Sequence, residues 1–155
     1  MDRWNKRQES KELQTATLKI RLCRKEAKLP TRGTSRSAGL DIYATDDITV
    51  RPGDIAEMLT GLTMEIPAGY YGLLATRSSM GRRGVRIAAG CNIVDSDYRE
   101  EVLVHLRNDG VYDWEIHKGD RVAQLVIVPY LPVIPVEVEE LSETDRKGGF
   151  GSTGK

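Results

Sequence analysis

The chain has 155 residues, with 23 Lys+Arg against 23 Asp+Glu and a formal net charge of zero. That length predicts one domain with its own core, and the charge balance leaves no global field drawing it to nucleic acid or a membrane surface. No apolar run is long enough to span a bilayer, the first residues lack the apolar segment of a secretory signal, and Cys23 and Cys91 make neither a disulfide framework nor a CxxC metal motif, so a reducing intracellular compartment fits.

Residues 1–16 are polar and charged without an apolar face, and read as a mobile or weakly helical leader. Leu18, Ile20 and Leu22 then alternate with Lys19 and Arg21, the period of a half-buried strand. Leu29 to Gly33 forms a loop around Pro30, and small residues lead into a short strand at Leu40–Ala44. Ile48 and Val50 run to a Pro52-Gly53 turn. Ile55 to Ile66 predicts two more short strands, closed by Pro67-Ala68-Gly69. Tyr70 to Thr76 is a further strand, and Val85 to Ala89 leads into Gly90–Val102. There an apolar run meets Asp95, Asp97 and Tyr98, which suggests a hairpin with acids at its tip. Val102 to Leu106 reads as buried on both faces, and Asn108-Asp109-Gly110 as a turn. Trp114 and Ile116 precede a second turn at His117–Asp120, and Val122 to Val128 is a long buried strand. Many short strands with turns about ten residues apart predict an all-β, jelly-roll-like sandwich or barrel over residues 17–130. Helix is expected only at Leu141–Asp145 and in part of 81–86.

After Val128 the prolines at 129, 132 and 135 mark an extended arm, residues 131–155, in which Val136 and Val138 alternate with glutamates. Those valines need cover, and exchange of the arm with an identical neighbour supplies it.

The chemistry-bearing stretches each admit a plain reading beside a functional one. Asp95 and Asp97 suit a turn cap as well as acid–base work. A calcium loop is excluded, because Arg99 and Glu100 stand where a ligand and a glycine are required. A glycosidase pair needs the tip to bend, since alternate strand residues face opposite ways. Arg77, Ser78 and Ser79 follow a strand and suit phosphate oxygens, or make an ordinary polar turn. Gly149 to Lys155 mimics a P-loop but lacks the following Ser/Thr and helix, so that reading is rejected. A glycine-rich arm whose one aromatic, Phe150, stacks on a base stands against a plain tail. His105 and His117 lack partners at metal spacing, and Cys91 lacks a neighbouring base.

Five blocks in order resemble the trimeric dUTP pyrophosphatase (dUTPase) family: SAGLDIYA at 37–44, RSSMG at 77–81, NIVDSDY at 92–98, GDRVAQL at 119–125 and RKGGFGSTG at 146–154. The resemblance covers residues 18–154. It implies a jelly-roll-like subunit in a homotrimer, with active sites at subunit interfaces and an exchanged C-terminal arm. It implies hydrolysis of dUTP to dUMP and pyrophosphate with Mg2+ on the triphosphate, limiting uracil in DNA and supplying dUMP for dTMP synthesis.

Carried over by position, the resemblance gives Asp95 the attacking water and Tyr98 the deoxyribose, excluding a 2′-hydroxyl. Arg77, Ser78, Ser79 and Gln124 serve the phosphates, and Asn92, Ile93 and Val94 the uracil. Asp41 meets the water shell of the metal, Arg146 the γ-phosphate, and Phe150 with Gly151 covers the base. In phosphoryl-type transfer positioning and charge neutralisation carry most of the catalysis, which suits arginines, hydroxyls and a metal without a covalent nucleophile. Asn92 and Glu100 stand where the family usually has glycine, and the tail is one residue short between Arg146 and Phe150. Two other readings are a non-catalytic regulatory derivative of the fold and a dCTP deaminase relative; DSDY at 95–98 and the glycine-rich tail argue against the second. An intracellular enzyme follows, nuclear in some sources.

Overall fold

A computed structural model gives the structure and describes residues 15–145. Most of the leader, and Arg146, Phe150 and Gly151 of the tail, lie outside the described residues. Among the described residues there are twelve strands and one helical turn. They are β1 (Lys19–Leu22), β2 (Thr31–Arg32), β3 (Leu40–Tyr43), β4 (Ile48–Val50), β5 (Ile55–Leu59), β6 (Leu62–Glu65) and β7 (Tyr70–Ala75). After them come α1 (Ser78–Gly81), β8 (Val85–Ile87), β9 (Cys91–Val94), β10 (Leu103–Asn108), β11 (Trp114–Ile116) and β12 (Arg121–Pro129).

A five-stranded sheet in the order β2-β3-β12-β7-β9 and a three-stranded sheet in the order β5-β10-β8 are joined by the ribbons β1-β6 and β11-β4. Every pairing is antiparallel. This is a jelly-roll-like β-sandwich, as the short alternating strands predict. Ile42, Leu74 and Leu125 from the large sheet meet Val104, Leu106 and Ile87 from the small one, all essentially without exposure. Burying a side chain of this size contributes about 1.5–3 kcal/mol, so these rows hold the two sheets face to face. Among the described residues no helix is long and apolar enough to cross a membrane.

Several expectations change. Gly90–Val102 is not a hairpin. β9 pairs with β7 whereas β10 pairs with β5 and β8, so the acid segment crosses from one sheet to the other. β10 is buried on one face only: Val104, Leu106 and Asn108 point inward, and Leu103, His105 and Arg107 do not. The helical turn lies at Ser78–Gly81, earlier than 81–86, and residues 141–145 form no helix. Asn92 needs no left-handed backbone, because it sits within β9 opposite Leu74; the positive φ belongs to Gly90, at 83°. From 130 to 145 the described chain adopts no regular strand, and Leu131, Val133, Ile134, Val136 and Leu141 are exposed.

Candidate active site

The register of the large sheet builds the first half of the site. Asp41 on β3 lies opposite Gln124 on β12, and Gln124 lies opposite Ala75 on β7. One row across three strands thus collects residues far apart in sequence. Just past Ala75 the chain turns: Arg77 is still extended (φ −73°, ψ 138°), and its carbonyl accepts the N–H of Met80 and of Gly81, both at 3.0 Å. Buried Met80 anchors this turn, and Ile87 N–H donates to Thr76 Oγ1 at 2.9 Å.

Within the row, Arg77 Nε donates to Asp41 Oδ1 at 2.8 Å and Arg121 Nη1 to Asp41 Oδ2 at 3.2 Å. Gln124 Nε2 donates to the Thr76 carbonyl at 3.1 Å. Gly39 leaves room for this amide: a Cβ there would lie 2.7 Å from Gln124 Oε1 and 3.2 Å from its Cβ, so the side chain would have to shift. Arg77 and Ser79 line a pocket of about 260 Å3 together with Arg83, Trp114, Asp120 and Arg121. Ser78 is exposed beside it.

The second half is a groove of about 500 Å3 lined by Asn92, Ile93, Val94, Asp95 and Tyr98, with Cys91 and His105 at its walls. The structure therefore gathers five of the predicted residues in one place. A four-residue turn makes this possible, closed by Tyr98 N–H to the Asp95 carbonyl at 3.2 Å. The two aspartates separate: Asp97 lines an adjoining cleft with Tyr71 and Tyr130, and Asp95 stands on the ridge between cleft and groove. β9 is an edge strand, and an edge leaves a row of backbone N–H and C=O groups unpaired.

Sequence reasoning missed the frame around this turn. Arg24 grips Glu101 through Nε (2.8 and 3.0 Å) and Nη2 (2.9 Å), and Gly61 N–H donates to the same carboxylate at 2.8 Å. The Arg24 guanidinium holds the Glu101 carboxyl below the usual carboxylate range, with the Gly61 N–H adding to the effect. Buried Thr60 donates to the Val102 carbonyl at 2.6 Å. Nothing in the sequence pairs Arg24 with Glu101, because 77 positions separate them.

Asp95 and Arg77 do not meet within one chain. Val94 pairs with Gly72, so Asp95 lies beside the start of β7, whereas Arg77 follows its end. Six residues at about 3.3 Å each place them roughly 20 Å apart.

Asp41 is the carboxylate of the polar row, and among the described residues no three acidic, histidine or cysteine side chains cluster to hold a metal. Its oxygens use two of about four lone-pair sites on the arginines, leaving room for a water.

Fold and site define a jelly-roll-like β protein in which an arginine–hydroxyl pocket and an acid–tyrosine groove lie on one large sheet. A dUTPase family model matches residues 25–154. The chain belongs to the dUTPase family. It is 40% identical over 141 residues to the deoxyuridine 5′-triphosphate nucleotidohydrolase of Clostridium tetani, covering 90% of this chain and 97% of that one. The human mitochondrial enzyme of the same name is 43% identical over 131 residues, covering 83% of this chain and 51% of its own. Among solved structures, the Staphylococcus bacteriophage 80alpha dUTPase G164S mutant with dUpNHpp superposes with TM-score 0.84 at 29% identity, over 90% of this chain and 99% of that one. A phage phi11 dUTPase, described with a structural Mg(II) ion, superposes with TM-score 0.76 at 27% identity, over 81% and 98%.

Proposed function

We propose that this chain hydrolyses dUTP to dUMP and pyrophosphate, with Asp95 as the base. The observation that carries the reading is the common groove of Asp95 and Tyr98 beside the edge strand β9, within the family-matched segment. The exposed carboxylate accepts a proton from a water, the water oxygen bonds to the α-phosphorus, and the bond to the bridging oxygen breaks. Pyrophosphate departs with that electron pair. A base needs hydrogen-bond reach to its water.

The unpaired backbone row at β9 reads the hydrogen-bonding edge of uracil around Asn92, Ile93 and Val94. Tyr98 lies under the sugar, leaving no room for a 2′-hydroxyl. Arg77, Ser78, Ser79 and Gln124 hold phosphate oxygens. Bound Mg2+ would neutralise triphosphate charge, and a carboxylate with spare lone pairs fits its water shell better than a protein-built cage would; Asp41 is that carboxylate. Arg146 meets the terminal phosphate, and Phe150 with Gly151 closes over the base.

The separation of about 20 Å between Asp95 and Arg77 supports a homotrimer in which each nucleotide lies between subunits. The uncovered apolar side chains of residues 131–141 support an arm laid on a neighbour. Two free, exposed cysteines suit an intracellular, reducing compartment.

Pyrophosphate release from dUTP, dCTP, dTTP and UTP with Mg2+ tests the reading. Rapid turnover of dUTP alone is expected. Asp95→Asn should lower it by at least about 100-fold while dUpNHpp still binds. Equal loss of turnover and binding would remove the assigned role of Asp95.

A further inference from the structure

Arg83 lines the pocket of Arg77 and Ser79 and has no role in the reaction above. Its N–H donates to the Met80 carbonyl at 2.9 Å, and the chain then reverses at Gly84, whose φ is 82°. The reversal is wedged in place. A Cβ at Gly84 would lie 2.8 Å from Gly110 N, and one at Gly110 would lie 3.1 Å from the Arg83 carbonyl. Asp109 N–H donates to the Gly84 carbonyl at 2.7 Å. So fixed, Arg83 lays its guanidinium over the Trp114 ring, 5.4 Å from the centroid. Both side chains line the pocket of Arg77 and Ser79.

Charge singles out Arg83. The pocket gathers Arg77, Arg83 and Arg121 against Asp120, and Asp41 stands behind Arg77 and Arg121. Three cations minus two carboxylates leave one positive charge. Arg77 and Arg121 share Asp41, whereas Arg83 has no ion pair among the described residues. A planar guanidinium held on an aromatic face is pre-oriented for bidentate contact with a phosphate.

We infer that Arg83, seated on Trp114, binds the outermost phosphate of the substrate and retains inorganic pyrophosphate after cleavage. This rests on the dUTP-hydrolysis reading, and it makes Arg83 a determinant of pyrophosphate affinity. dUMP, which lacks the outer phosphates, does not engage it.

The test uses the full chain with sodium pyrophosphate and Mg2+ as the probe. The chain has two tryptophans, so a Trp4→Phe background leaves Trp114 as the sole reporter. Pyrophosphate should change its fluorescence saturably. In Arg83→Gln the pyrophosphate inhibition constant and the dUTP KM should rise about tenfold, with kcat and dUMP inhibition within about twofold. Arg83→Lys keeps the charge without the fork, so it should recover only part of the loss. Unchanged pyrophosphate inhibition in Arg83→Gln, or equal weakening of pyrophosphate and dUMP, would overturn the inference. Failure of the parent chain to turn over dUTP would overturn the reaction instead, and the fluorescence titration would still decide the anion site.

Discussion

Asn108 is the buried polar side chain on which the loop beside the pocket hangs, and removing it should cost the fold heavily. It is 1% exposed. Its amide donates to the Val50 and Tyr112 carbonyls, both at 2.8 Å, and accepts the Gly110 N–H at 2.9 Å. Asn108→Ala strands all three backbone partners. At about 1 kcal/mol for each lost bond the cost is about 3 kcal/mol. Unfolding entropy near 2.1 cal/mol/K per residue gives roughly 0.33 kcal/mol/K for this length, so Tm should fall by about 9 °C. Differential scanning fluorimetry at matched protomer concentration reads this directly, since assembly makes Tm concentration-dependent. Asn108→Asp keeps the shape and sets carboxylate oxygens against two carbonyls. Burial pushes such a carboxyl's pKa up, so the extra destabilisation should grow as pH rises and ease in acid. A fall below about 3 °C for the alanine variant, or an aspartate variant indifferent to pH, would show that these hydrogen bonds do not hold the loop.

Two further outcomes concern the acid segment. Glu101 has its folded-state carboxyl pKa depressed below 4.5 by Arg24. Its stabilisation is therefore complete above the ordinary glutamate value and is lost as pH falls through the depressed one. Urea midpoints should decline more steeply below about pH 4.5 for the parent chain than for Glu101→Gln; parallel curves would refute the linkage. Tyr98→Ala should admit UTP, narrowing the dUTP/UTP ratio of kcat/KM by at least about tenfold. An unchanged ratio would remove the sugar filter from Tyr98.

Strand period made much of the fold legible. Alternation at Leu18–Leu22 and the apolar run at Val122–Val128 each mark a strand that forms, and Pro52-Gly53 and Pro67-Ala68-Gly69 mark turns that close. Pairing was not legible. Apolar runs on both sides of the acids at 95–101 looked like the arms of a hairpin and hid a crossing between sheets, because β9 and β10 satisfy their backbones with different partners. Val102–Leu106 read as buried on both faces, although in β10 only alternate residues point inward and His105 lies on the outer face. The groove residues Asn92–Tyr98 are contiguous, so one motif located them. Arg83 and Trp114 lie in separate, unremarkable stretches and meet only because Gly84 and Gly110 let two loops touch. Asn108 read as a turn residue, and its burial depended on strands that its own sequence neighbourhood does not show.

The acid turn combines a fixed frame with an uncommitted carboxylate, as the role proposed for Asp95 requires. Arg99 Nη1 donates to the Ser96 carbonyl at 2.7 Å and the Tyr98 carbonyl at 3.0 Å, and Tyr98 OH donates to the Glu101 carbonyl at 3.2 Å. Thr60 and Gly61 tie the far end to the turn between β5 and β6. Arg24 commits the Glu101 carboxylate, and Asp41 is shared by two arginines. Among the described residues the Asp95 side chain has neither hydrogen bond nor ion pair. The Asp95 oxygens are thus free to accept a hydrogen bond from a water while its backbone is held, as the proposed proton transfer requires.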